Sequence, residues 1–94
     1  MTATASAAVK DPLGLHARPS VALVKLAKSF AAAIEISAGD TGAWVPAKNL
    51  MQVMKVKAGA GAVLSFRAEG PDAGAAVAAL KRLVEADFAG GDDA

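Results

Sequence analysis

A chain of 94 residues with ten basic and nine acidic side chains, a net charge of +1, one histidine and no cysteine supports a single small domain. A domain of this length buries roughly two-thirds of the surface its unfolded chain exposes, which is enough for one core and leaves no room for a deep cofactor cleft. Without cysteine there are no disulfides, zinc–thiolate sites or thiol catalysis; one histidine argues against a multi-histidine metal site, and the charge balance is far from the basic excess of a duplex-binding protein.

The apolar fraction is 54%, and much of it is alanine, so the core is expected to be compact and rich in small residues. The aromatic residues are Phe30, Trp44, Phe66 and Phe88. No stretch approaches the ~20 apolar residues that span a bilayer, and the N-terminus lacks the basic start and leucine-rich centre of a secretory signal. The expectation is a soluble, cytoplasmic protein with no metal, no bound cofactor, no nucleic-acid partner and no membrane insertion.

In chain order, residues 2–10 are small and partly alternating, and read as a first strand despite the weak β-preference of alanine. Asp11, Pro12, Leu13 and Gly14 form a turn. A helix then runs to about Phe30, with Pro19 in its first turn, where a missing N–H costs nothing. Leu23, Leu26, Ala27 and Phe30 share one face of this helix, and Arg18, Lys25 and Lys28 gather on another. Residues 33–37 alternate at period two and read as a half-buried strand. A turn at residues 39–42 and a short returning strand at 43–45 complete a hairpin, closed by Pro46; Trp44 is read as strand packing.

Asn49 suits the N-cap of a short helix over residues 50–55, and Gly59 and Gly61 end it. Residues 62–68 are the last strand. Glu69, Gly70, Pro71 and Asp72 turn into a final helix whose apolar stripe is Ala73, Ala76, Val77, Leu80, Leu83, Val84 and Phe88, with Lys81, Arg82 and Glu85 off it. The order β-α-β-β-α-β-α gives an α+β fold, a two-layer open-faced sandwich with three helices against a four-stranded sheet. Residues 1–88 are expected to form the domain, and 89–94 a disordered acidic tail.

The chemistry lies around His16. A histidine just ahead of a helix faces unpaired backbone N–H groups and the positive end of the helix dipole, a setting that binds phosphate. Arg18 can add a guanidinium to the same phosphate. Positive surroundings are expected to lower the imidazole pKa from its ordinary ~6.5, leaving the ring neutral and nucleophilic at pH 7, and histidine forms covalent intermediates. A lone histidine in a small domain also serves as a cap, a surface group or a satisfied interior residue, and the spacing alone leaves these readings open.

The run Leu13-Gly14-Leu15-His16-Ala17-Arg18-Pro19 resembles the active-site signature of the HPr family, the small phosphocarriers of the bacterial phosphoenolpyruvate:sugar phosphotransferase system. Ala47-Lys48-Asn49-Leu50-Met51 is similar to that family's second-helix segment, and Ala68-Glu69-Gly70 to the turn before its last helix. The resemblance spans residues 2 to about 88 and implies an antiparallel sheet with the helices on one face. It further implies that His16 is phosphorylated on Nδ1 by phosphorylated enzyme I and passes the group to an enzyme IIA histidine. Arg18 would stabilise the phosphoryl group, with backbone N–H donors at Ala17 and its neighbours, in a relay protein that is not an independent enzyme.

Family members under serine-kinase control carry serine where this chain has Asn49, so that branch of regulation is expected to be absent. Met51 and Met54 can form an adaptable apolar docking patch, with Arg18, Lys25, Lys28 and Lys48 as a basic rim that speeds encounter with acidic partners. The plainer alternative is that the methionines fill the core and the lysines are ordinary solvated charges. A monomer is expected. Two rivals remain: a regulatory carrier of the nitrogen-related branch, towards which Asn49 and Asp92-Asp93 lean, and a noncatalytic interaction module, whose sign would be loss of the histidine.

Overall fold

The computed structural model describes residues 1–10, 17–38, 43–56 and 61–86. The elements in chain order are β1 (Thr2–Ala8), α1 (Ala17–Lys28), β2 (Ala33–Ala38), β3 (Val45–Pro46), α2 (Leu50–Met54), β4 (Val63–Glu69) and α3 (Ala73–Glu85). The expected turns at 11–14 and 39–42, the stripe position Phe88 and the tail at 89–94 lie outside the described residues.

The strands form one antiparallel sheet in the order β1-β4-β2-β3. Side chains alternate across it as the pleat requires. Leu64, Phe66 and Ala68 of β4 and Ile34, Ile36 and Ala38 of β2 are buried under the helices. The register pairs Ala5, Phe66 and Ile36 across three strands, and likewise Ala7, Leu64 and Ala38. Large side chains thus fill the centre of the sheet, while the alanines of β1 let α3 approach it closely. That explains a strand built from residues with little β-preference: what holds it is pairing with β4 and cover from α3, and intrinsic propensity is the weaker term.

The opposite face of the sheet is open. Thr4, Arg67 and Glu35 form one row across it, with Arg67 Nε donating to Glu35 Oε1 at 2.7 Å. The Arg67 guanidinium lies 4.2 Å from the centroid of the Trp44 ring, so Trp44 packs against an open-face cation. Exposed on both sides, the Arg67–Glu35 pair adds little stability.

Most elements end within one or two residues of the sequence reading: β1 stops at Ala8, α1 at Lys28 and α2 at Met54, and β4 runs one residue later, from Val63 to Glu69. The returning strand was expected at 43–45 with Pro46 closing it, whereas β3 is Val45–Pro46, pairing Ile36 with Val45 and Glu35 with Pro46. Because β3 is the edge strand, a residue without an N–H breaks no ladder bond there.

The helices follow their stripes. All six described members of the α3 stripe are buried. On α1, Leu23 and Ala27 are fully buried and Leu26 only partly so, while Phe30, also partly buried, lies two residues past the helix end. Lys10 Nζ donates to the Glu85 carbonyl at 2.7 Å, placing a cation at the C-terminal end of α3, where the dipole favours it.

A tie across the molecule holds the α1–β2 connection. Asp72 sits at the N-cap of α3, but its carboxylate does not cap that helix. Its two oxygens instead accept the N–H groups of Ala31 and Ala32, each at 2.8 Å. The Ala31 bond, with smaller help from Ala32, its own backbone N–H and Lys48, lowers the Asp72 pKa from 3.8 against the opposing effect of burial. The carboxylate therefore contributes stability that is fully present above pH 3.8 and is lost as pH falls through the lowered folded value. Asp72→Asn, which can accept only one of the two bonds, is expected to lower the thermal midpoint at pH 7 and to flatten its fall below pH 4. An unchanged acid limb in the variant would show that another group controls it.

Candidate functional site

His16 lies outside the described residues, as does the side chain of Ala17; the structure describes the helix into which they lead. That helix begins at Ala17, the residue bonded to His16. Its first turn holds no acidic side chain, and Arg18 is exposed. Pro19 falls within that turn, where an N–H would have no carbonyl four residues back to reach. The N-terminal end of a twelve-residue helix carries roughly half a positive charge, and nothing acidic in the first turn offsets it.

Along α1, Arg18, Lys25 and Lys28 are exposed and fall at i, i+7 and i+10, one continuous stripe. Val21 occupies the i+3 position of the same stripe and is also exposed. Sequence reading missed Val21; the signal was its spacing from Arg18, which puts it among the cations and off the apolar face.

The second helix packs against the first. Asn49 is extended at φ −109°, and its Oδ1 accepts the Gln52 N–H at 3.1 Å, as an N-cap should. One turn is enough to sort its side chains. Val53 is fully buried, whereas Met51 is 74% and Met54 50% exposed. The two methionines, three positions apart, share the outward side. They do not fill the core, and together with Val21 they are large apolar groups left in water.

Lys48 stands apart from the other cations. It is half-buried, and its Nζ donates to the Phe30 carbonyl at 2.7 Å. Its ammonium thus ties the segment before α2 to the connection that follows α1. A recess of about 630 Å³ is lined by Thr2, Glu35, Pro46, Lys48, Arg67 and Glu69 among others; none of its lining residues belongs to α1 or α2. Among the described residues no three His, Asp or Glu side chains gather as metal ligands, and no helix is long and apolar enough to cross a membrane.

The comparisons with known proteins agree with one another. The family model described as "PTS HPr component phosphorylation site" matches residues 3–86. The phosphocarrier protein HPr of Cupriavidus necator is 39% identical over 82 residues, which cover 87% of this chain and 90% of that protein. The multiphosphoryl transfer protein of Vibrio cholerae is 43% identical over 89 residues, 94% of this chain; this chain spans only 22% of its length. Among solved structures, HPr-C-His from Thermoanaerobacter tengcongensis superposes with a TM-score of 0.84 at 32% identity, covering 92% of this chain and 94% of that one. With an open-faced sandwich, an antiparallel four-stranded sheet and three helices in the same order, the chain belongs to the HPr family of phosphotransferase-system phosphocarriers.

Proposed function

We propose that this protein accepts a phosphoryl group on His16 from phosphorylated enzyme I, charged by phosphoenolpyruvate, and passes it to an enzyme IIA component for sugar uptake. The observation that carries the reading is local: the chain's one histidine directly precedes a helix whose first turn has an arginine and no acid. The Nδ1 lone pair of His16 attacks the phosphorus of the donor's phosphohistidine. The donor's N–P bond breaks, and its electron pair returns to the donor ring. The phosphoryl oxygens then rest against the N–H groups of the first turn, at Ala17 and its neighbours, and against the Arg18 guanidinium. A second attack of the same kind, by the acceptor's histidine, discharges the carrier. Each step exchanges one N–P bond for another, so the relay runs in both directions.

Exposed Val21, Met51 and Met54 give both partners an apolar surface to cover. Lys25 and Lys28 rim it and steer acidic partners, while Lys48, occupied at Phe30, contributes mainly long-range charge. The protein works as a cytoplasmic monomer in this reading. Asn49, which caps α2 through its own side chain, has no hydroxyl to phosphorylate.

The asparagine cap also favours a second reading, a regulatory carrier of the nitrogen-related branch. The two separate by donor. Mixed with phosphoenolpyruvate, magnesium and a sugar-branch enzyme I, the protein is expected to gain one acid-labile phosphate by intact mass. Uptake from a nitrogen-branch enzyme I alone would assign the regulatory branch, and failure with both donors would end the phosphocarrier reading for this chain.

A further inference from the structure

Ser20 is fully buried, and its Oγ has no hydrogen-bond partner among the described residues. It lies on the inward side of α1, in the same row as Leu23, Val24 and Ala27, all buried. A buried hydroxyl without a partner is uncommon and calls for a reason, because alanine would fit this position with better helix propensity and no polar group to bury.

We propose that Ser20 is a positioning residue of the phosphoryl site, whose hydroxyl closes on the Ala17 carbonyl when the first turn of α1 carries phosphate. The proposal rests on the phosphocarrier reading above. Helical side chains lean towards the N-terminus of their helix, so the Ser20 hydroxyl overlies the first turn. Serine hydroxyls in helices reach the carbonyls three or four residues back, and three back is Ala17, the first residue of α1.

The peptide unit that ends in the Ala17 carbonyl oxygen has the Arg18 N–H at its other end, pointing out of the helix N-terminus. A carbonyl oxygen has two lone pairs, so accepting from Ser20 leaves its helical bond intact. Hydrogen bonds at the two ends of one peptide polarise it in the same sense and strengthen each other. A phosphoryl dianion drawing on the first-turn N–H groups makes the Ala17 carbonyl a better acceptor, and the Ser20 bond in turn makes the N–H a better donor. The hydroxyl is therefore worth more in the phosphorylated form than in the unphosphorylated one. It forms no covalent bond and touches neither phosphorus nor imidazole.

The test compares the wild-type protein, Ser20→Ala and Ser20→Thr, each charged by the same enzyme I. Two quantities are read: the thermal midpoint of the unphosphorylated form, and the transfer equilibrium with phosphorylated enzyme I. Ser20→Ala is expected to raise the midpoint by a few degrees yet shift the equilibrium roughly two- to tenfold towards the donor. Ser20→Thr, which keeps the hydroxyl, is expected to restore the wild-type equilibrium. An equilibrium unchanged in Ser20→Ala, or shifted equally in Ser20→Thr, overturns the role of the hydroxyl. A wild-type protein that takes no phosphate overturns the phosphocarrier reading itself, and the two failures are distinguished by that control.

Discussion

His16→Ala is expected to take up no phosphate from phosphorylated enzyme I, under conditions in which the wild-type protein is charged to one phosphate per chain. The chain has no second histidine and no cysteine to serve in its place. The hydroxyls of Ser20 and Ser37 are buried, and a serine phosphate would survive the acid that cleaves a phosphoramidate, so acid lability identifies the carrier atom. Arg18→Ala separates binding from chemistry: the nucleophile remains, but one charge-assisted contact is lost. Contacts of that kind are worth about 1.5–3 kcal/mol, a roughly tenfold to hundredfold slower transfer. Arg18→Ala, at an exposed position, is expected to change the unfolding free energy by no more than about 0.5 kcal/mol. Uptake of acid-labile phosphate by His16→Ala would place the carrier atom elsewhere.

Gly70→Ala is expected to destabilise the protein by about 2–4 kcal/mol, measured by urea or thermal unfolding. Gly70 sits between β4 and α3 at φ +147°, a conformation that side chains rarely adopt. A Cβ built there would stand 2.8 Å from the Ala32 Cα and 3.1 Å from its Cβ. The usual escape, a shift of the neighbour, is blocked because the Ala32 N–H is held by Asp72. Gly70 is itself anchored, donating its N–H to the Met1 carbonyl at 2.9 Å. Gly74, four residues on, is the built-in control. It lies in the first turn of α3 with nothing within 4 Å of an added Cβ, so Gly74→Ala is expected to stabilise by up to about 1 kcal/mol. Equal effects at the two positions would show that backbone entropy, and not the close approach to Ala32, controls the cost.

The helices were legible because their apolar residues recur at helical spacing. The α3 stripe from Ala73 to Val84 is buried as its periodicity required, and the exposed cations of α1 fall on the side opposite Leu23 and Ala27. The Asn49 cap was legible because a cap is chemistry within three residues. The short strand was less so. Ala43 to Pro46 has too few residues for a period, and only the pairing of Pro46 with Glu35 sets its limits.

For the site, sequence placed His16 ahead of a helix and Arg18 within its first turn. Sequence left Met51 and Met54 poised between core and surface, since five residues of α2 carry no clear stripe. Lys48 read as an open cation, and its ammonium is turned to the Phe30 carbonyl. Asp72 read as part of a turn, and its carboxylate holds the backbone of Ala31 and Ala32, about 40 residues away in the chain.

Local order, then, was written in the sequence: element types, the α2 cap, and the neighbourhood of a histidine and a guanidinium at the start of α1. These depend on residues within one or two helical turns. Tertiary structure alone decided the β1-β4-β2-β3 order, the outward methionines, the burial of the Ser20 hydroxyl and the tie between Asp72 and the α1–β2 connection. Each of these depends on which distant surface meets which, and burial is a property of that meeting that no single stretch of sequence contains.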